Sequence, residues 1–160
     1  MAVFCYGQDK LKMEVTAAGD TLYSTDDKKI YTAPGSKNAS GEMLKSSFYK
    51  SASRYMLCLQ IETGRTSVFT VGSDEPAEIL FTDGSTLYLY SRSSSNSHRK
   101  ISDYGGYIFV FYTVGTRDLS KLQATDIKTI LVTTSAGKMT YDIKEKNAGV
   151  IRMQAGAIKQ

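Results

Sequence analysis

Two apolar runs set the limits on what this chain can fold into. Arg54–Glu62 reads RYMLCLQIE and Gly106–Val114 reads GYIFVFYTV. In the first, Tyr55, Leu57, Leu59 and Ile61 fall on one face of a strand, and Met56, Cys58 and Gln60 on the other. Both faces are largely apolar, which predicts a central strand covered on both sides. The second run reads the same way and is entered through the permissive pair Gly105-Gly106.

The segments around these runs supply neighbours for a sheet. Leu11, Met13, Val15 and Ala17 alternate with polar residues, predicting a half-buried strand ended by Gly19-Asp20. Leu22-Tyr23 and Ile30-Tyr31 flank Thr25–Lys28, predicting a hairpin. Residues 33–41 (APGSKNASG) form a loop, and Met43–Tyr49 is a further strand. Ile79–Phe81 and Thr86–Tyr90 flank Asp83-Gly84, a pair suited to the positive φ angles of a tight hairpin turn. Residues 91–98 (SRSSSNSH) are a serine-rich loop, and Asp118–Gln123 is one short helical turn. Ile127–Thr133 and Lys138–Ile143 make a last hairpin around Gly137. Ala148, Ile151, Ala155 and Ile158 recur at helical spacing, so 144–159 reads as a C-terminal helix with a narrow apolar stripe. Gly149 and Gly156 each weaken it by up to ~1 kcal/mol, leaving it dependent on packing.

The expected fold is therefore mainly β: an antiparallel β-sandwich or strongly curved sheet with a C-terminal α-helix. At 160 residues this is one domain, large enough to hold a core without metal or disulfide. No apolar run approaches the ~20 residues of a spanning helix. Thr, Ser and Tyr dominate the polar positions, as suits half-exposed strands. The net charge is +4, and the whole excess lies beyond Thr116, where eight basic residues face four acidic ones. That excess is too dispersed for a nucleic-acid footprint.

Groups for catalysis are sparse. His98 is the one histidine, in the serine-rich loop beside Arg99 and Lys100, with no GxSxG elbow in the chain. Asp26-Asp27 and Asp74-Glu75 lie in turn-like segments, and Asp26-Asp27 runs into Lys28-Lys29. There is no P-loop, Rossmann glycine pattern or Cys/His metal spacing, so no catalytic residue, metal ligand or cofactor is assigned. Cys5 and Cys58 read as two small buried apolar residues, with a bridge between them as the alternative. One constellation stands out. Arg92, His98, Arg99 and Lys100 flank a hydroxyl-rich loop, with Tyr88 and Tyr90 before it and Tyr104 after. Such donors beside aromatic faces suit an anion or a carbohydrate; an ordinary polar loop has the same composition. Tyr88 and Tyr90 share a strand face, opposite Leu87 and Leu89. They read as half of a core, with a ligand platform as the alternative.

Met1–Tyr6 is apolar and Gln8–Lys12 is not. Residues 1–7 read either as a signal-peptide remnant, with Cys5 and Gly7 at small-residue cleavage positions, or as a first strand, leaving 8–160 as the single domain. The expected compartment is secreted or periplasmic, or cytoplasmic if Met1 is the true start.

Residues Arg117–Ala148 carry a resemblance. Asp118-Leu119-x-x-Leu122, then Asp126-Ile127-Lys128, a hairpin centred on Gly137, and Asp142-Ile143-Lys144-Glu145-Lys146-Asn147-Ala148 follow one another. This ending resembles uncharacterised small β-rich secreted proteins of Bacteroidetes-type bacteria. Tyr104-Gly105-Gly106 is similar to a glycine-rich turn in that group. The resemblance covers about a third of the chain. It implies an architecture and a compartment, and no activity. The expected function is a non-enzymatic secreted or periplasmic domain that binds a protein or carbohydrate. The alternatives are a small hydrolase of carbohydrate or envelope substrates, and a phage or cell-surface structural subunit assembling through strand edges.

Leu59 is the centre of the strongest strand. Leu59→Ala should cost roughly 2–5 kcal/mol in urea unfolding, the range for large-to-small core changes. A loss of about 0.5 kcal/mol or less, the surface range, would place the strand outside the core.

Overall fold

The architecture is seen in a computed structural model, which describes residues 10–34, 42–64, 68–99 and 105–160, with Arg99 described by its backbone. The predicted mainly β, antiparallel fold with a C-terminal helix is present. The strands are β1 (Lys12–Val15), β2 (Thr21–Ser24), β3 (Lys28–Thr32), β4 (Met43–Ser51), β5 (Arg54–Thr63), β6 (Thr70–Val71), β7 (Ala77–Phe81), β8 (Thr86–Ser91), β9 (Ser95–Asn96), β10 (His98–Arg99) and β11 (Gly106–Val114). Helix α1 (Thr116–Ala124), strands β12 (Ile127–Thr134) and β13 (Gly137–Asp142) and helix α2 (Val150–Lys159) complete the chain. One curved sheet runs β1-β2-β4-β5-β11-β8-β7-β12-β13, with β3 also on β4 and β10 also on β11. β6 and β9 form a separate two-stranded ribbon.

The inner face of the curve is the core. Register aligns Leu44 with Ile61 and Ile108, Ser46 with Leu59 and Val110, and Phe48 with Leu57 and Tyr112. All nine side chains are buried, together with Phe69, Ile79, Phe81, Leu89, Ile130, Val132 and Tyr141. Between β11 and β8 the ladder narrows to two pairs, Tyr112–Ser91 and Thr113–Tyr90. The sheet curls far enough to bring β3 beside β13 without closing into a barrel. The seam is bridged by side chains: the Tyr31 and Tyr141 rings meet edge-on at 5.1 Å, and Asn147 Nδ2 donates to the Ile30 carbonyl at 3.1 Å.

Helix α2 fixes this curvature through one buried amide. Gln154 is fully buried. Its Nε2 donates to the carbonyls of Ser46 (2.8 Å) and Asp26 (3.0 Å), and its Oε1 accepts from Ser46 Oγ (2.7 Å). Ile151, Ala155 and Ile158 bury the apolar stripe around it. On the other side α2 meets α1, where Gln123 Nε2 donates to the Ala155 carbonyl at 3.0 Å.

Several expectations are corrected. β11 is buried on one face alone: Phe109 and Phe111 remain 42% and 39% exposed, because among the described residues no layer covers the outside of the curve there. β1 is exposed throughout, since it pairs with β2 at the sheet's edge, beyond the core. β2 and β3 do not form a hairpin; both pair with β4, at Tyr49–Ser51 and Met43–Ser46 respectively. Buried Thr25 makes the step between them, with its Oγ1 accepting from the Phe48 amide (2.9 Å) and its own amide donating to the Phe48 carbonyl (3.0 Å). The C-terminal helix begins at Val150, not at residue 144, because Lys144 is extended and a 3-10 turn, Glu145–Asn147, precedes Gly149. The serine-rich loop contains β9 and β10, and α1 is longer than the predicted turn. The β4–β5 hairpin turns through Ala52-Ser53 with Ala52 at φ 50°, a turn lacking the Asn-Gly or Asp-Gly signature. Residues 1–9 and 35–41, with the predicted first strand and most of the predicted loop, lie outside the described residues.

Removing the amide would leave the buried Ser46 carbonyl and hydroxyl, and the part-buried Asp26 carbonyl, without this partner. Gln154→Ala should lower stability by about 2–3 kcal/mol in urea unfolding, because each buried unsatisfied group costs about 1–3 kcal/mol. A change below about 0.5 kcal/mol would show that α2 is held by its apolar stripe alone.

Candidate functional site on the outer sheet face

Alternation puts one set of β11 side chains in the core and delivers the other set outward. Tyr107, Phe109, Phe111 and Thr113 form the outward set. The register surrounds them. Cys58 pairs with both Ser47 and Phe111, Met56 with both Tyr49 and Thr113, and Thr113 also with Tyr90. The rings contact one another edge to face. Tyr107 and Phe109 have centroids 5.9 Å apart at 80°, and Tyr49 and Phe111 5.3 Å apart at 67°. Tyr88 and Tyr90 are 52% and 47% exposed, so they are not part of the core as expected; Leu89, on the opposite face, is the buried partner of that alternation.

At one end of this face lies a cavity of about 330 Å³, lined by Leu22, Ser51, Arg54, Tyr55, Met56, Arg92 and Thr113. Leu22 reaches it because β2 pairs Leu22 with Ser51, and the β4–β5 hairpin sets Arg54 opposite Ser51. Arg92 enters from the residue after β8. Both arginines are exposed, and neither has an acidic partner among the described residues. A second cavity, about 210 Å³, sits at the β3–β13 seam and includes Lys29, Lys144, Lys146 and Asp142.

The predicted constellation is thus divided. Arg92 belongs to the cavity. His98 lies beside Tyr107, with ring centroids 5.5 Å apart. Tyr107 and Thr113 are six residues apart on one strand, so His98 and the cavity are separated by about 20 Å. Lys100 and Tyr104 lie outside the described residues, as does the side chain of Arg99. Leu22, Ser51, Arg54 and Met56 carried no local signal, because the β2–β4 register brings them together. Gly105 is required by contact: a Cβ there would stand 2.6 Å from the Thr63 carbonyl oxygen.

The carboxylates occupy structural positions. Asp26 is paired with Lys12 at 2.7 Å, which together with the bond holds its carboxyl below the usual range. Asp83 bonds Lys121 (2.6 Å) and Ser85 and is held far below it, tying the β7–β8 turn to α1. Glu75 accepts from the Gly72 amide at 2.6 Å. Among the described residues no group of three His, Cys, Asp or Glu side chains is placed to hold a metal ion, and no helix is long and apolar enough to cross a membrane.

No family model matches the chain, and no solved structure matches it. Over 59 residues, 36% of the chain, it is 49% identical to the cytochrome c-type protein TorC of Escherichia coli K12, and equally to that of E. coli O157:H7. The chain spans about 15% of the length of these relatives. A c-type haem is attached through Cys-x-x-Cys-His. In these 160 residues the cysteines are Cys5 and Cys58 and the histidine is His98, so the residues present do not form that attachment.

Cys58 is a free thiol, buried beside Phe111, and burial pushes its pKa up to about 12. Burial thus disfavours the thiolate, which is the reactive form. With Cys5→Ser leaving a single thiol, the folded protein should resist iodoacetamide at pH 8 and take up one equivalent in urea. Rapid alkylation of the folded protein would show that the outer face opens at Cys58.

Proposed function

We propose that this is a non-enzymatic interaction domain, secreted or periplasmic, that docks a protein partner on its outer sheet face. The observation that carries the reading is the aromatic row on β11: Phe109 and Phe111 are 42% and 39% exposed, each in edge contact with a tyrosine, Tyr107 and Tyr49, while Tyr90, exposed on β8, sits beside Thr113. Single exposed apolar residues are ordinary, whereas a contiguous patch marks an interaction surface. Aromatic residues are also enriched where proteins meet. A protein fits this face better than a carbohydrate. The edge-to-face contacts turn ring faces toward neighbouring rings, leaving fewer flat faces for a sugar to stack on. Export is supported by the resemblance of Arg117–Ala148 to small secreted proteins and by the Ser-, Thr- and Tyr-rich body.

A second reading, a structural subunit, is favoured by β1. That strand ends the sheet among the described residues and exposes Met13 (67%) and Val15 (62%), and such an edge can pair with another chain.

Photocrosslinking in the native host separates the two. A photoreactive phenylalanine analogue is placed at position 109, 111, 13 or, as a control, at exposed Thr140. Docking on the outer face predicts discrete protein adducts from 109 and 111, in the periplasmic or secreted fraction, and none from Thr140. Adducts confined to position 13 and joining two copies of this chain would favour the subunit. Equal labelling at all four positions would remove the docking face.

A further inference from the structure

We propose that the cavity between Arg54 and Arg92 binds a small apolar monocarboxylate. The proposal goes beyond protein docking on the aromatic face and stands independently of it. The volume, about 330 Å³, falls at the lower end of the ~300–1,000 Å³ range of small-ligand pockets. Leu22 and Met56 are apolar residues of its lining, and Ser51 and Thr113 are polar ones.

Charge decides the ligand's sign. Arg54 and Arg92 come from separate elements and converge on one cavity without an acidic partner among the described residues. Among the described residues no Asp or Glu lines the cavity. The seam cavity differs: it holds lysines, but Asp142 is in its wall. A guanidinium matches a planar carboxylate with two parallel hydrogen bonds, and the apolar wall calls for an apolar body behind that head. Two sources have this chemistry, a free short-chain acid and the last residue of a peptide with an apolar side chain.

Isothermal titration calorimetry of the full chain tests the assignment with four probes: hexanoate, hexanamide, and a short peptide ending in leucine with a free or an amidated terminus. Saturable binding of a free carboxylate is expected, with the matching amide at least about tenfold weaker, as loss of a charged hydrogen-bonding partner implies. Arg54→Gln and Arg92→Gln should each weaken the acid by about tenfold, with unchanged melting temperature because both side chains are exposed. Lys144→Gln, at the seam cavity, should leave binding unchanged. The Met56 methyl NMR signal should shift on saturation. The tighter of hexanoate and the free-terminus peptide names the source. No binding of either carboxylate, equal binding of acid and amide, or an unmoved Met56 signal would overturn the proposal. With the photoreactive probe at position 111, Phe109→Ser should abolish adducts at the docking face while retaining hexanoate binding, so the two readings fail separately.

Discussion

A single buried amide fixes the geometry on which the rest of this molecule depends. Gln154 meets the Ser46 hydroxyl and the carbonyls of Ser46 and Asp26 inside the sheet's curve. Its three bonds satisfy the interior polar groups left where β2 steps to β3 along β4. Because these bonds are directional, they set the position of α2 as well as its attachment. The 3-10 turn before α2 sets Asn147 at the edge of β3 and α2 meets α1, so the seam, the helices and the curvature are one linked arrangement.

That arrangement fills the interior. Phe48, Leu57, Phe69, Phe81, Tyr112 and Tyr141 occupy the space inside the curve, and Phe109, Phe111, Tyr88 and Tyr90 are exposed. The same alternation that packs Ile108, Val110 and Tyr112 inward delivers Phe109 and Phe111 outward. The outer face thus has two distinct parts, an aromatic field in the middle and an arginine-flanked cavity at one end. The rigid ladder of β4, β5 and β11 holds both in fixed relation.

Much of the fold was legible because it is written in local patterns. The alternation of Arg54–Glu62, the Asp83-Gly84 turn and the hairpin at Gly137 each specify their own element. Gly84 and Gly137 do adopt positive φ, at 84° and 107°. What was not legible depends on partners distant in sequence. Nothing local says that Tyr88 and Tyr90 face solvent, since Tyr is equally at home in a core. Nor does anything local direct β2 and β3 to β4 in place of each other; the buried step at Thr25 decides that. The cavity was half visible. Arg92 stood out by its company in the serine-rich loop, but Leu22, Arg54 and Met56 meet it only through strand register.

The Gln154 contact joins residues 108 positions apart. At synthesis rates of ~5–20 residues per second, roughly 5–20 s separate the making of Ser46 from the making of its partner. During that interval β4 and β3 have their strand neighbours, while the Ser46 and Asp26 carbonyls and the edge at Ile30 lack their cover. The nascent sheet is therefore an open template for foreign strands until α2 arrives. Such long-range closure also slows folding, because the entropy of the intervening loop is lost before the contact forms. For this chain, the helix that completes the fold is also the element that ends its period of greatest exposure to aggregation.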